Sequence, residues 1–129
     1  MIVSLHVASG AAAGAASRSR SLAVAAGIPL HLLGDRIPHR DIPNRRFEIG
    51  SGLAGLALLA LGRGPLHPVT IGAFAASAPD LEHIFPALRP RGSKLFHGHH
   101  GWHRSGRLLS VPLQLVAAGM VIGALAARR

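Results

Sequence analysis

Charged residues are absent from five stretches of the chain: 1–17, 21–34, 49–62, 64–79 and 108–127. Each is built mainly of Ala, Leu, Val, Ile and Gly. None shows apolar–polar alternation over more than a few residues, so strands are not expected. The pattern predicts an all-α chain with turns at the polar breaks. Residues 17–21 form a short polar turn. Residues 36–46 (RIPHRDIPNRR) hold two prolines among arginines and read as a loop. Residues 62–68 are punctuated by Gly-Pro and His-Pro. Residues 88–107 form a longer Gly- and His-rich loop.

The last stretch, LLSVPLQLVAAGMVIGALAA, has the roughly 20 residues that a bilayer span requires. Small residues recur at helical spacing in Gly10/Gly14 and Gly119/Gly123, a pattern that lets helices approach closely in lipid. The expectation is an integral membrane bundle of four to five helices, one domain over 1–129, with a His/Asp site at one end. The first stretch lacks a basic leading region, and Arg18 and Arg20 follow it, so it reads as a retained helix rather than a signal peptide.

Composition narrows the chemistry. With no Cys, disulfide frameworks and thiolate metal sites are excluded. A 49% hydrophobic fraction excludes a disordered tail. The net charge of +9 suits anionic partners such as lipid or phosphate-bearing small molecules. A nucleic-acid role is not expected, because stacking platforms are lacking apart from Trp102 and a few Phe.

The histidines are clustered. Seven of the nine fall within 31–41 and 80–103, together with Asp35, Asp41, Asp80 and Glu82, four of the five acids. Histidine with carboxylate and no Cys is ligand chemistry for Zn²⁺, Mn²⁺ or Fe. His31 and Asp35 are four apart and share a helical face, and Pro38 is placed to turn His39 toward the same point. Asp80 and His83 are three apart and share a face, whereas Glu82 points elsewhere on an ideal helix. The tract His97-Gly-His99-His100-Gly-Trp102-His103 adds four more imidazoles, of which His99 and His103 would share a face in a helix.

Five alternating helices would bring His6, the 31–41 window and the 80–103 window to one end and leave His67 at the other. Nine cations fall on the histidine side and five opposite, which predicts a cytoplasmic site by the positive-inside tendency.

In this order, His6, His31-x-x-x-Asp35-x-x-Pro38-His39, Pro79-Asp80-x-Glu82-His83 and a His-rich loop ending in His103-Arg-Ser, the chain resembles the bacterial membrane-bound, metal-dependent hydrolases. These are small multi-helix inner-membrane proteins. Their pattern has an early His, Pro-Asp-x-Asp-His and a later His-Arg-Gly-x-Thr-His-Ser. Here Glu82 replaces the second Asp, and the last motif is altered. His31-Leu-Leu-Gly-Asp35 with Pro38-His39 is also similar to a short segment of zinc-dependent phospholipase C, which favours zinc and phosphoester chemistry.

The expected metal ligands are thus His6, His31, Asp35, His39, Asp80, His83, His99 and His103. They would hold one or two ions, zinc first, with Mn or Fe as alternatives. Glu82 is the expected general base or bridging ligand, and Arg36, Arg40 and Arg104 would hold a phosphate. Glu48 reads as a salt-bridge partner of Arg45 and Arg46. The expected function is a membrane-bound metal-dependent hydrolase acting on a phosphoester or lipid-like substrate. The alternative is a non-catalytic metal-binding membrane protein, such as a carrier or assembly factor.

Overall fold

The structure is a computed structural model that describes residues 1–97 and 104–128. Its helices are α1 (Val3–Ser17), α2 (Arg20–Asp35), α3 (Arg45–Arg63), α4 (Pro68–Ser77), the single turn α5 (Leu81–Ile84) and α6 (Val111–Ala127). Short 3₁₀ turns follow α4 at Ala78–Asp80 and lie within the long loop at Pro86–Leu88 and Pro90–Gly92. Among the described residues the only strand-like pairing is a pair of isolated bridges from His39 to Ser105 and Leu109.

Local sequence sets the boundaries. Arg18 takes a left-handed conformation (φ 52°) and donates its N–H to the Gly14 carbonyl, which ends α1. The Ser19, Asn44, His67 and Ser110 side chains accept backbone N–H groups at the starts of α2, α3, α4 and α6. Pro68 opens α4, where a missing N–H costs no helical hydrogen bond.

Helix α1 is central, packed by α2, α3, α4 and α6. The core joins Val7, Ala8 and Ala11 of α1 to Leu59 of α3, Val69 and Ala73 of α4, and Ala118 and Ile122 of α6. Its side chains are small because α1 and α4 meet almost backbone to backbone. A Cβ on Gly10 would sit 2.1 Å from the Gly72 carbonyl oxygen, and one on Gly72 would sit 2.3 Å from that of Gly10. The second glycine pair has no such role: a Cβ on Gly119 or Gly123 would meet nothing within 4 Å.

The helices correct the membrane expectation. Among the described residues no helix is long and apolar enough to cross a membrane. The 108–127 stretch becomes helical only at Val111, because Ser110 caps the helix and Pro112 lies in its first turn. The resulting 17 residues reach about 26 Å at 1.5 Å each, short of a hydrocarbon core of roughly 30 Å. Helix α3 has 19 residues, but Arg45, Arg46, Glu48 and Arg63 stand within it. The integral-membrane bundle, the inner-membrane location and the cytoplasmic orientation of the site are all withdrawn on this finding. The all-α architecture with a His/Asp cluster at one end stands. Apolar side chains, including Leu22, Val24, Leu58, Leu61, Leu113, Val116 and Met120, are exposed on the outer faces of α2, α3 and α6.

Candidate metal centre

Five segments contribute to the cluster. Helix α1 brings His6. The last turns of α2 bring His31 and Asp35, four apart on one face. The 3₁₀ turn after α4 brings Asp80, α5 brings Glu82 and His83, and the loop beyond it returns His97. His6, His31, Asp35 and Glu82 are buried.

Two anchored imidazoles define the centre. His31 donates from Nδ1 to the Ala76 carbonyl at 2.9 Å, which turns its Nε2 into the cluster. His97 donates from Nδ1 to Glu82 Oε1 at 2.6 Å. The two Nε2 atoms then face each other at 3.1 Å. Asp35 Oδ2 lies 3.4 Å from each of them, and Asp80 Oδ1 lies 4.0 Å from the first and 3.5 Å from the second. His6 stacks on His31 with ring centroids 3.9 Å apart and donates from Nε2 to Asp35 Oδ1 at 3.0 Å. His83 lies edge-on to His97, and its Nδ1 accepts from Lys94 at 3.1 Å.

Three sets in this cluster have ligand atoms mutually close enough to hold a metal ion: His6–His31–Asp80, His31–Asp35–His97 and Asp80–His83–His97. The donor chemistry fits such an ion. Two imidazole Nε2 atoms converge on a carboxylate pair, and His6 Nδ1 and Asp80 Oδ2 are buried without a hydrogen-bond partner.

Protonation follows the same geometry. Burial lowers His6 to about 3, against the opposing hydrogen bond to Asp35, so its imidazole is neutral. Burial and the neighbouring His97 and Lys94 lower His83 to about 4. Burial also raises Asp35, but hydrogen bonds from His31, His6 and His97 outweigh it and hold the carboxyl far below the usual carboxylate range. Burial raises Asp80 to about 6 despite the two nearby imidazoles. His97 loses basicity through burial and regains more from Asp35 and Glu82, so it is raised.

The structure redistributes the expected roles. His6, His31, Asp35, Asp80 and His83 come together as the sequence suggested. Among the described residues His39 belongs to none of the metal-competent sets. Its Nδ1 faces the Ile37 carbonyl at 2.7 Å and its Nε2 faces Asp41 at 3.1 Å, because the chain after Pro38 runs extended beside 104–109. His99 and His103 lie outside the described residues. His97, which spacing could not single out from its tract, joins the cluster instead.

Glu82 is committed elsewhere than to water. Its oxygens accept the backbone N–H groups of Leu95, Phe96 and His97 as well as the His97 ring. Burial opposes its ionisation, but these donors prevail and lower it to about 2. The carboxylate therefore fixes the 95–97 loop and orients His97.

A pocket of about 530 Å³ opens onto the cluster. Asp35, Asp80, His83 and His97 line it, together with Arg45, Glu48 and Lys94. Glu48 thus takes a different place from the expected salt bridge. It accepts a hydrogen bond from the Val3 backbone, and burial, with Asp80 and Asp41 nearby, raises its carboxyl. The side-chain cations among the lining residues are Arg45 and Lys94, and the Met1 ammonium pairs with Asp35 there, whereas Arg36, Arg40 and Arg104 are exposed outside it.

Comparisons with protein-family models, with curated proteins and with solved structures return no match for this chain. The residues themselves carry the functional reading.

Proposed function

We propose that this chain is a metal-dependent hydrolase of phosphoesters, with zinc held by His6, His31, Asp35, Asp80, His83 and His97. The observation that carries the reading is the pocket of about 530 Å³ opening directly onto His97 and Asp80, with Arg45 and Lys94 at the same wall. Six donors exceed the four that one tetrahedral zinc takes, which favours two ions sharing a carboxylate. Bound metal supplies Lewis-acid activation of water and of the phosphoryl group.

The chain's own residues supply the rest. Arg45 and Lys94 bind and orient an anionic phosphoryl group. Glu82 keeps the His97 Nε2 turned into the cluster. Glu48 lies half-buried at the pocket, where burial raises its carboxyl, and is the group placed to exchange a proton with a leaving oxygen.

The test starts with metal content. Untagged protein and the His31→Ala/Asp80→Ala variant are compared by elemental analysis, and zinc-loaded protein is then assayed on p-nitrophenyl phosphate and bis-p-nitrophenyl phosphate. One or two ions per chain, lost in the variant, with turnover that falls in Glu48→Gln, is the expected result. Stoichiometric metal without hydrolysis would replace the enzyme with a metal carrier, and no bound metal would overturn both readings.

A further inference from the structure

The pocket is chemically two-ended, and the order of residues along α3 shows it. Arg45, Ile49, Leu53 and Leu56 all line the pocket and follow one another at helical spacing. The stripe starts with a cation beside the cluster, where Arg45 donates to the His83 carbonyl. It then runs about 16 Å along the helix and becomes wholly apolar. Phe74 on α4 and Leu81 and Ile84 on α5 line the same pocket. Leu53, Phe74 and Ile84 remain 60%, 55% and 38% exposed, so the groove presents uncovered apolar surface continuous with the metal-competent wall.

A small phosphate would fill the polar end alone and leave this surface wet. The geometry points to a substrate that is an amphiphilic phosphoester: a phosphoryl group held at Arg45, Lys94 and the cluster, with an alkyl chain lying against Leu53, Leu56 and Phe74. The inference rests on the metal-dependent hydrolase reading and adds the class of substrate. Charge complementarity fixes the direction of binding, because Arg45 and Lys94 stand at the cluster end and the α3 stripe beyond Ile49 carries no charge.

The test measures binding without turnover. Methyl-, butyl- and octylphosphonate are titrated by calorimetry into zinc-loaded protein. Each fully buried methylene strengthens binding up to about fourfold, so octylphosphonate is expected to bind more tightly than methylphosphonate by about tenfold or more. In Leu53→Ser and Phe74→Ser that ratio is expected to fall toward unity. Both positions are more than half exposed, so the variants should fold, as circular dichroism would verify.

An octyl-to-methyl ratio below about tenfold, or one that survives both substitutions, overturns the inference. If methylphosphonate binds and p-nitrophenyl phosphate is hydrolysed without a chain-length gain, the hydrolase reading survives and only the amphiphilic substrate is lost. If no phosphonate binds, the substrate class is wrong outright.

Discussion

His31 and His97 stand with their Nε2 atoms 3.1 Å apart, and each ring is tethered through its other nitrogen, one to the Ala76 carbonyl and one to Glu82. Two tethered acceptors at that separation need something positive between them. A proton between the two rings serves in the absence of metal, and a divalent ion serves better. The tethers are the reason that ring orientation survives an exchange between the two.

Glu82→Gln tests the tether on His97. The amide keeps the size but weakens the charge-assisted hydrogen bond and no longer enforces the tautomer. Zinc affinity, read against a competing chromophoric chelator, is expected to fall about 10–100-fold. Unchanged affinity would show that Glu82 only staples the 95–97 loop.

Asp80 carries a cost in the metal-free protein. Its carboxyl is raised to about 6 in the folded state by burial, above its ordinary value of 3.8. A raised group contributes its stability at low pH, below the unfolded value, and loses it as pH rises through about 6. Asp80→Asn is therefore expected to stabilise the apoprotein above that pH by about 1–3 kcal/mol. The gain should vanish below about pH 4. Denaturant melts of both apoproteins across this range check it. The same variant should bind zinc more weakly, so stability and metal affinity move in opposite directions.

Gly10→Ala drives a methyl group into the Gly72 carbonyl. Helix propensity alone would favour Ala by about 1 kcal/mol, but the clash with backbone on α4 is expected to reverse the sign and destabilise by about 1–3 kcal/mol. Gly119→Ala, with open space around it, should be neutral or stabilising. Thermal melts of the two variants side by side separate close approach from mere composition.

His39→Ala should leave the zinc stoichiometry intact. The ring is fully buried and faces the Ile37 carbonyl and Asp41, so its loss is expected to cost about 1–3 kcal/mol of stability. A lost metal ion in this variant would return His39 to the ligand set.

The helices were legible because charge-free stretches and polar breaks coincide with real caps at Ser19, Asn44, His67 and Ser110. The gathering of His6, His31 and His83 at one end followed from alternating helices and needed no bilayer. The membrane assignment failed because counting uncharged residues ignores where a helix begins: Ser110 and Pro112 sit inside the longest such stretch. Among the described residues His39 stands apart from the cluster, because Pro38 leads into extended backbone beside 104–109 rather than a return toward Asp35. His97 could not be chosen within a Gly-rich tract that has no period. Glu82 could be seen to point away from Asp80, but not that the backbone of 95–97 would occupy it.

The cluster draws on residues as distant in sequence as His6 and His97, on five segments joined only by tertiary packing. No fragment of the chain that ends before His97 carries the His31–His97 pair. During synthesis the ribosome must therefore release the segment beyond α5 before this pair can take up an ion, long after α1 and α2 have emerged. Metal uptake by this pair would then report that the chain has been made and packed at least as far as the loop that follows α5.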